Sequence, residues 1–160
     1  MNKFVPCLWF DGRAEEAMEF YTAVFGDSTK AGFTRCGENG PGPKGSVMTA
    51  SFSLFGQDFL ALNGGPMFQF TPAISLIVNC DDQAEIDRYW EKLAEGGEPG
   101  VCGWLKDKFG VSWQIVPKDL GEMMLSATPV QRERMMTEVM QMKKLDAAAI
   151  RQACENVTAA

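Results

Sequence analysis

The chain contains no histidine. It therefore lacks the side chain that most often acts as an acid or base near neutral pH and that most often ligates transition metals. Ser-His and Cys-His nucleophilic arrangements cannot be built from it. Positive charge is also short: 15 Lys and Arg stand against 21 Asp and Glu, for a net charge of −6 and a pI of about 4.7. Nucleic-acid binding needs clustered Lys and Arg to replace counterions on phosphates, so no nucleic-acid partner is expected. No apolar run reaches the roughly 18 residues of a membrane helix, and Met1–Pro6 has no signal-peptide apolar region. The expectation is a cytoplasmic protein with no membrane partner. The five cysteines, Cys7, Cys36, Cys80, Cys102 and Cys154, are odd in number and form no C-x-x-C pair. They read as reduced, mostly buried thiols, not a disulfide framework or a zinc site.

Apolar residues make up 46% of the 160-residue chain and charged residues 22%, enough to bury a core in one domain or two small halves. Phe4–Phe10 reads as a buried strand. Asp11-Gly12 then offers a helix start, and Ala14, Ala17, Met18, Tyr21, Val24 and Phe25 follow at helical spacing up to Gly26. Ser28–Cys36 is strand-like. Gly37–Gly45 is a Gly/Pro loop. Ser46–Phe55, a turn at Gly56-Gln57 and Asp58–Asn63 form a hairpin. The pattern then restarts. Ala73–Cys80 is apolar, Asp82 with Glu85 makes a capping box, and Ile86, Tyr89, Trp90 and Leu93 form a helix stripe ending at Gly96-Gly97. Pro99–Leu105 and Gly110–Val116 are strand-like. At a shift of 70 residues Asp11 falls on Asp81, Ala14 on Ala84, Glu15 on Glu85, Phe20 on Trp90 and Gly26 on Gly96. These positions suit a cap, a stripe and a stop, as expected of one supersecondary unit used twice.

Pro117 ends the last strand. Thr128, Pro129 and Gln131 predict a capped helix with Met135, Met136, Val139 and Met140 as its apolar stripe. Asp146 starts another, with Ile150, Ala153, Cys154 and Val157 on one face. These helices need an apolar surface, on their own subunit or on a partner, and the methionines read as core filler.

Three stretches carry a family resemblance: Pro6-Cys7-Leu8-Trp9-Phe10-Asp11-Gly12 running into Ala14-Glu15-Glu16-Ala17 and Phe20-Tyr21; Cys102-Gly103-Trp104-Leu105-Lys106-Asp107-Lys108-Phe109-Gly110-Val111-Ser112-Trp113-Gln114-Ile115-Val116-Pro117; and Met140-Gln141-Met142-Lys143-Lys144-Leu145-Asp146. The chain resembles the PhnB-like family, often labelled 3-demethylubiquinone-9 3-methyltransferase domain, of the vicinal oxygen chelate superfamily (glyoxalase, bleomycin-resistance protein and dioxygenase). The resemblance implies an α+β fold of two tandem βαβββ modules, at about residues 1–65 and 70–117, whose curved mixed sheets enclose a cleft. Residues 118–160 would be a helical C-terminal extension. It also implies a homodimer. In metal-dependent relatives the first and last strands of each module supply the ligands.

Those positions are poor in donors. The windows Phe4-Val5-Pro6, Leu60–Asn63 and Ala73-Ile74-Ser75 hold no His or carboxylate, and the last strand offers Gln114, a neutral amide. No cofactor is expected, and a divalent metal is disfavoured. The candidate ligand-binding residues are Gln114, Trp104, Cys102, Asn63 and Ser112, with Ser112 and Gln114 on one strand face. Cys102 would be a reactive thiol if it met Lys106 or Lys108. Asp107 reads as a turn residue, and Trp90 and Trp113 as core. No catalytic residue is identified. The leading reading is a small organic ligand in a metal-free cleft, as in the bleomycin-sequestering relatives. The alternatives are a lyase, isomerase or dioxygenase with a non-standard metal site, and a structural or regulatory homodimer. No G-x-G-x-x-G follows a strand and opens a helix, so these residues do not support the methyltransferase label.

Overall fold

The computed structural model describes residues 2–155. The chain divides into two compact units, one ending at Phe70 and the other beginning at Thr71. The first unit contains β1 (Cys7–Phe10), α1 (Ala14–Val24), β2 (Ser28–Arg35), β3 (Val47–Leu54) and β4 (Gln57–Asn63). Its sheet has the order β1-β4-β3-β2, with β1 parallel to β4 and the other pairs antiparallel. The second unit repeats this plan with β5 (Leu76–Cys80), α2 (Gln83–Ala94), β6 (Glu98–Pro99), β7 (Trp104–Lys106) and β8 (Ser112–Pro117) in the order β5-β8-β7-β6. The fold is the expected α+β arrangement of two βαβββ modules. Three helices follow in the second unit: α3 (Leu120–Ser126), α4 (Pro129–Gln141) and α5 (Ala147–Glu155).

Each sheet buries one face under its own helix. From α1 come Ala14, Ala17, Met18, Tyr21 and Val24; from α2 come Ile86, Tyr89, Trp90 and Leu93. Strand alternation supplies the other half of each core: Leu8, Phe10, Ala50, Phe52, Phe59 and Ala61 in the first sheet, and Val78, Leu105, Trp113 and Ile115 in the second. Trp90 and Trp113 are therefore core, as expected. The opposite face of each sheet is turned away from α1 or α2, and its residues are half-buried or exposed, with Ser112 an exception; in the second unit Val116 on this face packs against the C-terminal helices.

Met135, Val139, Leu145 and Ile150 of the C-terminal extension form a buried cluster against which Val116 and Cys102 pack. Gln83, at the start of α2, ties it down by donating to the Leu145 carbonyl (3.0 Å) and accepting from the Ala147 N–H (2.9 Å). The extension thus packs on its own chain. Among the described residues no helix is long and apolar enough to cross a membrane.

Several local expectations need correcting. Asp11 does not cap α1. The N-cap is Arg13, without a side-chain cap bond, and the Ala14 N–H is met by Asn63 Oδ1 from β4 (2.9 Å). In the second unit Asp82 caps α2 directly, accepting from the Glu85 N–H (2.9 Å). The first strand begins at Cys7 rather than Phe4, which is 83% exposed. The hairpin turn is Phe55-Gly56, both with positive φ, because Leu54 pairs with Gln57. Pro99–Leu105 is not one strand. Cys102 (φ 58°) and Gly103 (φ 79°) bend it into two short strands closed by Gly100 N–H to Trp104 O, 2.8 Å. In the α4 stripe only Met135 and Val139 are buried; Met136 and Met140 are exposed. Helix α3 was not anticipated, and Val157 lies outside the described residues.

Candidate functional site

Strand pairing identifies equivalent positions in the two units. Cys7 pairs with Leu60, and Ile77 pairs with Gln114. Cys7 and Ile77 are 70 residues apart, the period of the repeat, so Leu60 and Gln114 are structural counterparts. All four lie on the faces turned away from α1 and α2.

On the second unit's open face, Trp104 of β7, Gln114 of β8 and Ile77 of β5 form one row across three strands. Gln114 Nε2 donates to Ser75 Oγ (2.8 Å). Ser112 lies two residues before Gln114 on the same face, 4% exposed, and opposes Lys106, which is paired with Glu98 (3.1 Å). Register therefore brings together three predicted residues, Trp104, Ser112 and Gln114. Ile77 and Ser75 were not among those singled out. The 70-residue period was the signal that could have found Ile77, because it places Ile77 on Cys7.

Cys102 lies apart from that row, in the left-handed turn before β7. Its N–H donates to the Met142 carbonyl (2.7 Å) and its thiol contacts Met140 Sδ (3.4 Å). Lys106 is held by Glu98 and Lys108 lies over the Phe109 ring, so the anticipated lysine partnership does not form. Asn63 sits in the first unit with both ends of its amide committed to backbone, Oδ1 to the Ala14 N–H and Nδ2 to the Val47 carbonyl, each at 2.9 Å. It lies on the α1 side of the sheet, opposite to Leu60. Asp107 is the turn residue expected. Buried, it accepts from Phe109 N–H, Val111 N–H and Trp113 Nε1.

On the first unit's open face a cavity of about 470 Å³ is lined by Val5, Ala31, Ser51, Asp58 and Leu60, with Phe52 and Phe59, whose stacked rings lie in the core on the α1 side, also reaching its wall. Asp58 is engaged by the Asn2 N–H (2.7 Å). The exposed Cys7 thiol lies beside Leu60, and desolvation raises its pKa, favouring the neutral form. A second cavity, about 440 Å³, opens near the start of α1, rimmed by Asp11, Glu15 and Arg35.

A metal held in the manner the resemblance implies would need donors at these equivalent positions. They offer one protonated thiol, two aliphatic side chains and one amide, and Gln114 already donates to Ser75. Among the described residues no three Cys, Asp or Glu side chains form a group able to hold a metal ion. The residues do not fit a resident divalent cation. The segment Gly40–Gly45 carries glycines at the spacing of a dinucleotide loop, but it runs from β2 to β3 and opens no helix.

The model of the 3-demethylubiquinone-9 3-methyltransferase family matches residues 2–116, so α3–α5 lie beyond it. A PhnB protein from Bacillus cereus, described as a putative 3-demethylubiquinone-9 3-methyltransferase, is 43% identical over 72% of this chain and 99% of its own, with a TM-score of 0.65. Protein PA1353 from Pseudomonas aeruginosa is 26% identical over 73% of this chain and 98% of its own, with a TM-score of 0.62. A glyoxalase/bleomycin resistance protein from Albidiferax ferrireducens is 15% identical over 71% of this chain and 97% of its own, with a TM-score of 0.47. No curated protein matches. With a family model that matches residues 2–116 and a PhnB protein 43% identical over 72% of its length, the chain belongs to the PhnB-like 3-demethylubiquinone-9 3-methyltransferase family.

Proposed function

We propose that this protein binds a small uncharged organic molecule on an open sheet face, without a resident metal. One observation carries the reading: Leu60 and Gln114, on the last strands from which the resemblance draws metal ligands, and their strand partners Cys7 and Ile77 are all neutral and mostly apolar. The cavity beside Leu60 supports it. Its volume of about 470 Å³ falls in the range of small-molecule sites, and Val5, Ala31 and Leu60 give it aliphatic wall beside the polar Ser51 and Asp58. Taken by itself, the second unit's open face also has the features of such sites, an aromatic surface from the half-buried Trp104 and a polar group from Gln114.

The reading does not extend to methyl transfer. The mixed sheets are not a doubly wound parallel sheet, and no glycine-rich turn opens a helix.

The experiment is a thermal-shift screen of uncharged aromatic and quinone compounds, run with and without EDTA. A ligand at 100 times its dissociation constant adds about 2.7 kcal/mol to stability, several degrees in a chain of this size. The expected result is a shift that EDTA leaves unchanged. No shift from any compound, or a shift that EDTA abolishes, contradicts the proposal.

A further inference from the structure

The open face of the second sheet holds polar groups that the fold leaves unused. Gln114 has one hydrogen bond, from Nε2 to Ser75 Oγ (2.8 Å), and among the described residues its Oε1 has none. The Ser112 hydroxyl, in a residue 4% exposed, and the Trp104 indole N–H are likewise without partners among the described residues. These groups remain open to a partner from outside the fold. A bound molecule can supply one.

The Ser75–Gln114 pair has a fixed pattern. With Nε2 donating to Ser75, the pair presents the Gln114 carbonyl as an acceptor and the Ser75 O–H as a donor. If the amide is turned round, it presents a Gln114 N–H and a Ser75 lone pair. Either way one donor and one acceptor stand side by side. On either side of Gln114 are apolar walls, the Trp104 ring and Ile77, which is 57% exposed. Charge is cancelled nearby, because Lys106 on this face is held by Glu98. An ionised ligand would lose water there without meeting a free counter-charge.

We infer that this face selects a neutral planar molecule with an amide-type edge, an N–H next to a C=O, seated on Ser75 and Gln114 against Trp104. The inference rests on the small-molecule reading and specifies its ligand class.

Matched probes test it. 2-Quinolone carries the edge; coumarin is the same bicycle as a lactone without the N–H; 2-naphthoate is flat and charged. Affinities are read by NMR titration on the wild type, Gln114→Leu and Ser75→Ala, with near-ultraviolet circular dichroism confirming that the variants fold. 2-Quinolone is expected to bind about tenfold more tightly than coumarin, the worth of one well-made hydrogen bond. Each variant deletes one of the two partners, so each should weaken 2-quinolone; the variant that removes the acceptor of the N–H should abolish the preference, and the one that removes the donor to the C=O should weaken coumarin as well. Equal binding of 2-quinolone and coumarin, a preference for 2-naphthoate, or a lactam preference that survives both variants overturns the amide-edge inference and leaves the binding reading standing. If none of the three binds, the inference fails; binding of other uncharged compounds in the thermal-shift screen then decides whether the broader reading fails with it.

Discussion

A carboxylate that is 3% exposed is costly to bury unless donors meet its oxygens, and Asp107 meets three: two backbone N–H groups and the Trp113 indole, at 2.8–3.0 Å. Its truncation would strand those donors in the core. Asp107→Ala is expected to lower stability by about 3 kcal/mol or more, measured by urea unfolding, because each lost bond to a charged group is worth about 1.5–3 kcal/mol. Cys80 is the second buried group with a measurable signature. Its thiol is 1% exposed, and desolvation, followed by the nearby Glu85, pushes its pKa up to about 12 from 9.0. The folded state then keeps the proton over a range where the unfolded chain releases it. That contribution is intact below pH 9 and is lost as pH rises towards about 12, at roughly 1.4 kcal/mol per unit. Melting temperatures of the wild type should therefore fall more between pH 8 and pH 10.5 than those of Cys80→Ala; equal falls would contradict this. At this scale the sequence was legible where a residue acts locally, as with Asp107 in its turn. Asn63 was opaque because its two partners lie 49 and 16 residues away.

The helices and strands follow from their patterns, and the disagreements sit where an element depends on a neighbour. The cap of α1 comes from a different strand, so Asp11-Gly12 could not reveal it. The break between β6 and β7 did not show in the strand-like run Pro99–Leu105, because the positive φ at Cys102 is supported by the extension, whose Met142 and Lys143 carbonyls take its N–H and that of Gly103. Gly97 shows the same dependence. A Cβ there would stand 2.1 Å from the Lys106 carbonyl oxygen, whereas Asp27, one period earlier, carries a side chain. Gly97→Ala is expected to cost about 1–3 kcal/mol, since backbone rather than a flexible side chain must yield. Gly26→Ala, with nothing within 4 Å of the new Cβ, should change stability by no more than about 0.5 kcal/mol. Chemical denaturation of the two variants side by side checks both expectations.

Across the chain, the 70-residue repeat showed one supersecondary unit used twice and the family resemblance implied two mixed sheets, while the strand order came from the structure. The open faces were less legible, because period-two alternation tells which residues share a face but not which face a helix will cover. Register resolved that, and it placed neutral side chains at Cys7, Leu60, Ile77 and Gln114. The central claim is that this scaffold binds a small molecule without a metal, and its metal requirement can be measured directly. Tag-free protein is equilibrated with zinc, nickel, manganese and ferrous ions in turn, passed through a desalting column and analysed by plasma mass spectrometry. The account predicts well under about 0.1 ion per chain for each, because among the described residues no convergent donor set is present to retain one. About one ion per chain, lost in Gln114→Leu, would contradict it.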